Sequence, residues 1–214
     1  MEKKIVFASS NKKKLQEISL LFSKYNVKVI PQTSLDIIDV QEDGLTFVEN
    51  AILKARNCCL YSGLPSISDD SGLIVDALNG SPGIYSSRYC TSSKIGEDKE
   101  IKRDQNNINK LLSKLKSLPR ASRKATLFCT LVFMRFWNDP CPGIFEGYLR
   151  GSILDYHYED GDFFGYDPIF YVEKYGETLS KMDITTKNKI SHRAQAVEKS
   201  RKKIFDFFVE KTYS

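Results

Sequence analysis

The run from Lys124 to Trp137 limits the architecture more than any other stretch, because it is nearly continuous in apolar and β-branched residues. A strand with one wet face alternates, so a run that does not alternate suits a strand covered on both faces. Asn138-Asp139-Pro140 turns the chain, and Ile144 to Leu154 runs back as a hairpin partner with Gly147 and Gly151 marking bends. Shorter strands are expected at Lys3 to Ala8 and at Val27 to Ile30. Ser9-Ser10-Asn11 breaks the first of these before a helical pattern in which Leu15, Ile18, Leu21 and Phe22 bury one face, giving a first βα turn.

The length of 214 residues fits one large domain, or two small lobes sharing a core, and no linker is evident. No apolar run approaches the roughly 20 residues of a membrane span. Met1-Glu2-Lys3-Lys4 leads directly into a strand, which predicts no signal peptide and a cytoplasmic protein. The five cysteines (Cys58, Cys59, Cys90, Cys129, Cys141) lack a CxxC or Cys/His ligand spacing, so structural thiols are expected. Much of the +5 net charge sits in two helical segments, Lys94 to Lys116 and Lys199 to Lys211. Solvated helix faces explain it, and a basic nucleic-acid-binding module is the rival reading. Thr91 to Ser122 reads as mostly one helix, a scaffold with Ile108, Leu111, Leu112, Leu115 and Leu118 inward.

The candidate chemistry centres on Ser66 to Arg88. Adjacent carboxylates at Asp69 and Asp70 precede Ser71-Gly72, where the backbone can bend, and this sets the charge at a strand end. Such a pair either satisfies backbone donors as an Asx-type turn or serves a hard cation and an attacking water. Ser9, Ser10 and Asn11, followed by Lys12, Lys13 and Lys14 at a helix start, combine backbone N–H groups with positive charge, which suits a polyphosphate or a merely soluble surface. Thr46 and Glu49 fit a capping box for a helix that Gly63 and Pro65 stop near Ser62, with Asn50 and Lys54 one turn apart off its apolar face. The loop Asp160 to Phe170 presents aromatic rings either to a nucleobase or to the packing beneath it. Lys187, His192 and Arg193 fall in the opening turns of one long helix with Ile190, Ala194, Val197, Ile204 and Phe208 inward. Cations there oppose the helix dipole and suggest an anionic or carbonyl-bearing ligand.

In order along almost the whole chain, several segments match one pattern. They are Phe7 to Lys14, Glu42 to Ala51 with Lys54-Ala55-Arg56, Asp69 to Leu73 through Pro82 to Tyr89, Phe164 to Pro168, and Lys187 with Ile190 to Arg193. On these residues the chain resembles the Ham1-like family of inosine/xanthosine triphosphate pyrophosphatases. The resemblance implies an α/β fold, elongated and two-lobed, with a long mixed β-sheet flanked by helices and a nucleotide cleft between the lobes. It also implies a single domain over residues 1–214, a homodimer, and no nucleic-acid or membrane partner.

The activity so implied is Mg²⁺-dependent hydrolysis of noncanonical purine nucleoside triphosphates (ITP, dITP, XTP) to the monophosphate and pyrophosphate. Under the same resemblance, Ser9 to Lys14 and Lys54 hold the triphosphate, Glu42 and Asp70 hold Mg²⁺, and Asp70 is the general base. Ser71, Phe164, Gly165, Tyr166, Asp167, Lys187, His192 and Arg193 contact substrate, with Phe164 against the base. Two departures from the family pattern stand out. Ser10 replaces a common glycine, and Gln41-Glu42-Asp43 leaves the metal-facing acid uncertain by one place.

Overall fold

The computed structural model describes residues 3–90, 99–155 and 164–210. Seven strands form one mixed sheet in the order β2-β1-β3-β4-β5-β6-β7. They are β1 (Lys4–Phe7), β2 (Lys28–Pro31), β3 (Ser66–Val75), β4 (Lys124–Met134), β5 (Gly143–Ile153), β6 (Phe170–Val172) and β7 (Glu177–Thr178). β1 pairs in parallel with β2 and β3, while β5, β6 and β7 pair antiparallel. The helices are α1 (Lys12–Ser23), α2 (Phe47–Ser62), α3 (Lys99–Leu115), α4 (Ile184–Ile190) and α5 (His192–Glu210). Among the described residues no helix is long and apolar enough to cross a membrane.

Two compact units divide the chain, the first built from Met1–Asp70, Cys129–Gly147 and Asn188–Ser214, the second from Ser71–Phe128 and Tyr148–Lys187. In the first unit, strand alternation sorts the core into two layers. Ile5, Phe7, Ile67, Cys129, Leu131 and Phe133 pack with Ile18, Leu21 and Phe22 of α1 and with Ala194, Ala196, Val197 and Ile204 of α5. On the opposite side Val132 and Met134 meet Ala51, Ala55 and Cys59 of α2, and Val6 and Ala8 meet Ile37 and Cys58. This two-sided cover is why the β4 sequence does not alternate. In the second unit β6 pairs with β5 at Ile153↔Phe170, and α3 buries Ile108, Leu111 and Leu115 completely.

Several expectations change. Asp69 and Asp70 do not end a strand. They sit inside β3, which continues through Ser71-Gly72 because Leu73 and Val75 are fully buried beyond them. The basic helix is shorter than Thr91 to Ser122: it ends at Leu115, Arg120–Ser122 forms a separate 3-10 turn, and Thr91 to Asp98 lie outside the described residues. Two helices replace the single long one from Thr185. Asp183 Oδ1 accepts from Thr186 N at 2.9 Å to start α4, and Ser191 Oγ accepts from Ala194 N at 3.1 Å to start α5.

Gly147 and Gly151 lie within β5 and let other backbone approach it. A Cβ on Gly147 would lie 1.8 Å from the His192 carbonyl oxygen, and one on Gly151 would lie 2.3 Å from that of Tyr171. Gly147→Ala is therefore expected to lower stability by about 1–3 kcal/mol through overpacking at the start of α5. Urea midpoints of the two proteins measure it, and equal midpoints would count against the contact.

Candidate active site

The division of labour between the two aspartates follows from their parity in β3. Ser66, Ser68 and Asp70 share one face, and all three engage α2. Ser66 Oγ donates to the Ala55 carbonyl at 2.7 Å, Ser68 Oγ donates to the Ala51 carbonyl at 2.5 Å, and Lys54 Nζ donates to Asp70 Oδ1 at 3.0 Å. The two hydroxyls draw the strand against the helix, so Lys54 is held over Asp70 by the packing of its own turn. Thr46 and Glu49 form the expected capping box, and Gly63 at φ +66 ends the helix as its sequence predicts.

Glu42 reaches the same ammonium, with Oε1 3.3 Å from Lys54 Nζ. The loop carrying it is pinned by Asn50, whose Oδ1 accepts from Gly44 N at 2.9 Å while the residue is fully buried. A Cβ at Gly44 would meet that same oxygen at 2.7 Å, so only glycine allows the approach. Asn50 is thus a positioning residue for Glu42. Its spacing from Lys54 was visible in the sequence, but its bond to the loop was not.

Asp69 faces the other layer and is completely buried. Its Oδ2 accepts from Arg193 Nε and Nη2, each at 3.1 Å, and lies 3.2 Å from Lys14 Nζ. Arg193 Nη1 also donates to Glu17, three residues after Lys14 on α1. Arg193 is only 2% exposed, so its charge is answered by protein carboxylates. The negative charge that the sequence argument sought for the cations near α4 and α5 is supplied in part by Asp69 and Glu17.

At the head of α1, Ser9 Oγ accepts from Asn11 N at 3.2 Å and Asn11 Oδ1 accepts from Lys14 N at 3.0 Å. Ser10 and Lys12 are exposed, and Lys13 is half-buried. Ser10 is not among the residues with positive φ, so the missing glycine costs no backbone strain. Lys14 and Lys54 therefore approach the aspartate pair from α1 and α2 on the two faces of the sheet.

The electrostatics of Asp70 are those of a carboxylate awaiting a partner. Burial pushes its pKa up, and Lys54 and Lys14 only partly oppose the rise. Its Oδ2 is buried with no hydrogen-bond partner among the described residues. Burial works to lower the Lys54 ammonium, but the negative charges of Asp70, Asp69 and Glu42 outweigh it and hold its pKa above the ordinary value. A divalent cation fits this oxygen. Among the described residues no three His, Cys, Asp or Glu side chains gather as a metal nest. Mg²⁺ does not require one, since it binds through one or two carboxylates, substrate phosphates and retained waters.

Most of the remaining candidates lie in the second unit. Ser71 is half-buried in β3, and Phe164 is half-buried at the start of a turn over residues 164–169. Asp160 to Phe163 of the expected aromatic loop lie outside the described residues. Gly165 takes φ +56, Tyr166 is buried with its hydroxyl on the Ser86 carbonyl at 2.9 Å, and Asp167 is paired with Lys187. Burial raises the Tyr166 hydroxyl's pKa, which keeps it a neutral donor. Arg88 lies over the Tyr85 ring at 5.4 Å. In the first unit His192, 9% exposed, opens α5 beside Arg193.

The five cysteines are all free, and burial pushes the thiols of Cys58 and Cys129 up to about 12, consistent with structural thiols. A cavity of about 450 Å³ in the first unit, lined by Lys3, Phe22, Tyr25, Arg201 and Phe205 among others, contains none of the site carboxylates.

A model of the Ham1 family matches residues 5–203. The chain belongs to the Ham1 family. It is 45% identical over 196 residues to a dITP/XTP pyrophosphatase of Yersinia pseudotuberculosis, covering 91% of this chain and 94% of that one. A dITP/XTP pyrophosphatase of Shigella flexneri is also 45% identical, over 195 residues with the same coverage. Among solved structures, a Ham1 protein of Coxiella burnetii superposes with a TM-score of 0.83 at 40% identity, covering 95% of this chain and 99% of that one. Within this Ham1 chain, the residue that sequence reasoning missed is Glu17, which pairs with Arg193 and carries no local signal beyond helical spacing, while Asn50 was singled out without its role in holding the Gly44 loop.

Proposed function

We propose that this Ham1-family chain hydrolyses noncanonical purine nucleoside triphosphates (ITP, dITP and XTP) to the nucleoside monophosphate and pyrophosphate. The observation that carries the reading is Asp70, a buried carboxylate with one oxygen on Lys54 and the other without a protein partner among the described residues. The two similar dITP/XTP pyrophosphatases support the substrate class.

In this reading water attacks the α-phosphorus, its proton passes to Asp70, and pyrophosphate leaves. A carboxylate whose pKa is raised by burial is a better proton acceptor than an ordinary one. Lys14 and Lys54 offset the charge that builds on the phosphate oxygens, and the positive end of α1 receives the polyphosphate. Glu42 and Asp70 are the residues that would hold Mg²⁺, which when bound neutralises phosphate oxygens and lowers the pKa of a coordinated water. Selection of the base rests on donors aimed at a 6-oxo group, which adenine's 6-amino group would leave unpaired. The family resemblance further suggests a homodimer, which sedimentation of the purified chain would reveal.

Pyrophosphate release from ITP, XTP, GTP and ATP in Mg²⁺ is the test. ITP and XTP are expected to be cleaved fastest, and chelation of the metal is expected to remove activity while leaving the circular dichroism spectrum intact. Equal rates on all four triphosphates, or full activity in chelator, would sink the reading.

A further inference from the structure

α3 enters the sequence reading only as scaffold, yet one of its faces is polar and buried. Asp104, 6% exposed, accepts from the Gly165 backbone N–H through Oδ2 at 2.8 Å. Asn107, three residues on and therefore on the same face, is 2% exposed. It accepts from Cys90 N at 2.7 Å and donates to the Ser87 carbonyl at 3.2 Å. Tyr166, from the segment that Asp104 holds, donates to the Ser86 carbonyl in the segment that Asn107 holds. One helix face thus fastens the turn at Gly165 and the end of the 3-10 helix Gly83–Arg88, and the tyrosine joins them.

The bond at Gly165 fixes more than one N–H. Because the peptide unit is planar, orienting Gly165 N–H also orients the Phe164 carbonyl, which points the opposite way. That carbonyl accepts from Asp167 N at 3.2 Å and closes the turn, and Asp167 in turn holds Lys187. A left-handed residue such as Gly165 has little backbone preference of its own, so the turn depends on an outside anchor. Burying a carboxylate is costly unless it accepts strong bonds, and the apolar packing of α3 through Ile108, Leu111 and Leu115 does not call for an acid at position 104.

The geometry points to Asp104 as a positioning residue for purine selection, fixing the Phe164–Asp167 turn so that its groups meet a 6-oxo base and disfavour a 6-amino one. This rests on the proposed hydrolysis of purine triphosphates and adds to it the residue that sets base choice.

The test compares kcat and KM on ITP and ATP for the parent, Asp104→Leu and Asp104→Asn. In Asp104→Leu the ITP-to-ATP ratio of kcat/KM is expected to fall about 10-fold, through a higher KM for ITP, with kcat changed less than about threefold. Asp104→Asn keeps an acceptor and should hold the ratio within about twofold of the parent. If leucine prevents folding, Asp104→Ala is read in its place. An unchanged ratio in a folded leucine or alanine variant, or a loss of kcat shared equally by both substrates, overturns the role of Asp104 and leaves the hydrolase reading standing. A parent that releases no pyrophosphate from either substrate overturns both.

Discussion

Asp70→Asn is expected to lose on the order of 10²-fold or more in turnover on ITP while keeping its fold. The amide preserves the shape of the side chain and its contact with Lys54 through an oxygen, but it cannot take a proton from water and binds a divalent cation poorly. The same substitution should leave the protein at least as stable as the parent at neutral pH. Burial raises the Asp70 pKa above its ordinary value of 3.8, so between that value and the raised one the native state binds more protons than the unfolded state. Its contribution to stability is therefore full below the ordinary carboxylate range and falls as pH rises through the raised pKa. A thermal midpoint for Asp70→Asn that matches or exceeds the parent's at pH 7, with the two converging in acid, is the expected result. Near-normal turnover in the purified variant would remove Asp70 from the chemistry, and a large drop in midpoint would show that its charge stabilises the fold instead.

Arg193→Met should be damaging for the opposite reason. The guanidinium is 2% exposed and shared by Asp69, which is fully buried, and Glu17. Removing one partner of a buried ion pair leaves uncompensated charge and costs about 3–5 kcal/mol. Urea denaturation would measure this as a lower midpoint at unchanged slope. Restoring neutrality tests the cause: the triple change Glu17→Gln, Asp69→Asn, Arg193→Met should recover most of the loss, because apolar or neutral replacements of a whole buried network are often tolerated. A triple variant as unstable as Arg193→Met would mean that packing volume, and not charge, set the penalty.

Several parts of the fold were legible because their causes are local. The capping box at Thr46 and Glu49 and the stop at Gly63 are written within a turn or two of the helix ends they control. The uninterrupted apolar run of β4 announced two covered faces without saying which helices cover them. The division of the 185–193 region into α4 and α5 was missed because Ser191 continues a helical pattern in sequence and becomes a cap only when Ala194 N bonds to its hydroxyl. The close approach at Gly147 was not legible, because a glycine needed for close approach and one needed for curvature are the same letter.

The candidate site divides along the same line. Sequence by itself determined the chemical types: paired acids, lysines at a helix head, and a lysine one turn beyond Asn50, since side-chain chemistry travels with the residue. Tertiary structure alone decided that Asp69 and Asp70 have different partners. Strand alternation sends neighbouring carboxylates to opposite faces, and the helices covering those faces bring Arg193 to one and Lys54 to the other. Arg193 is distant in the chain, so no local pattern could encode that pairing; it exists only once the sheet has both of its layers.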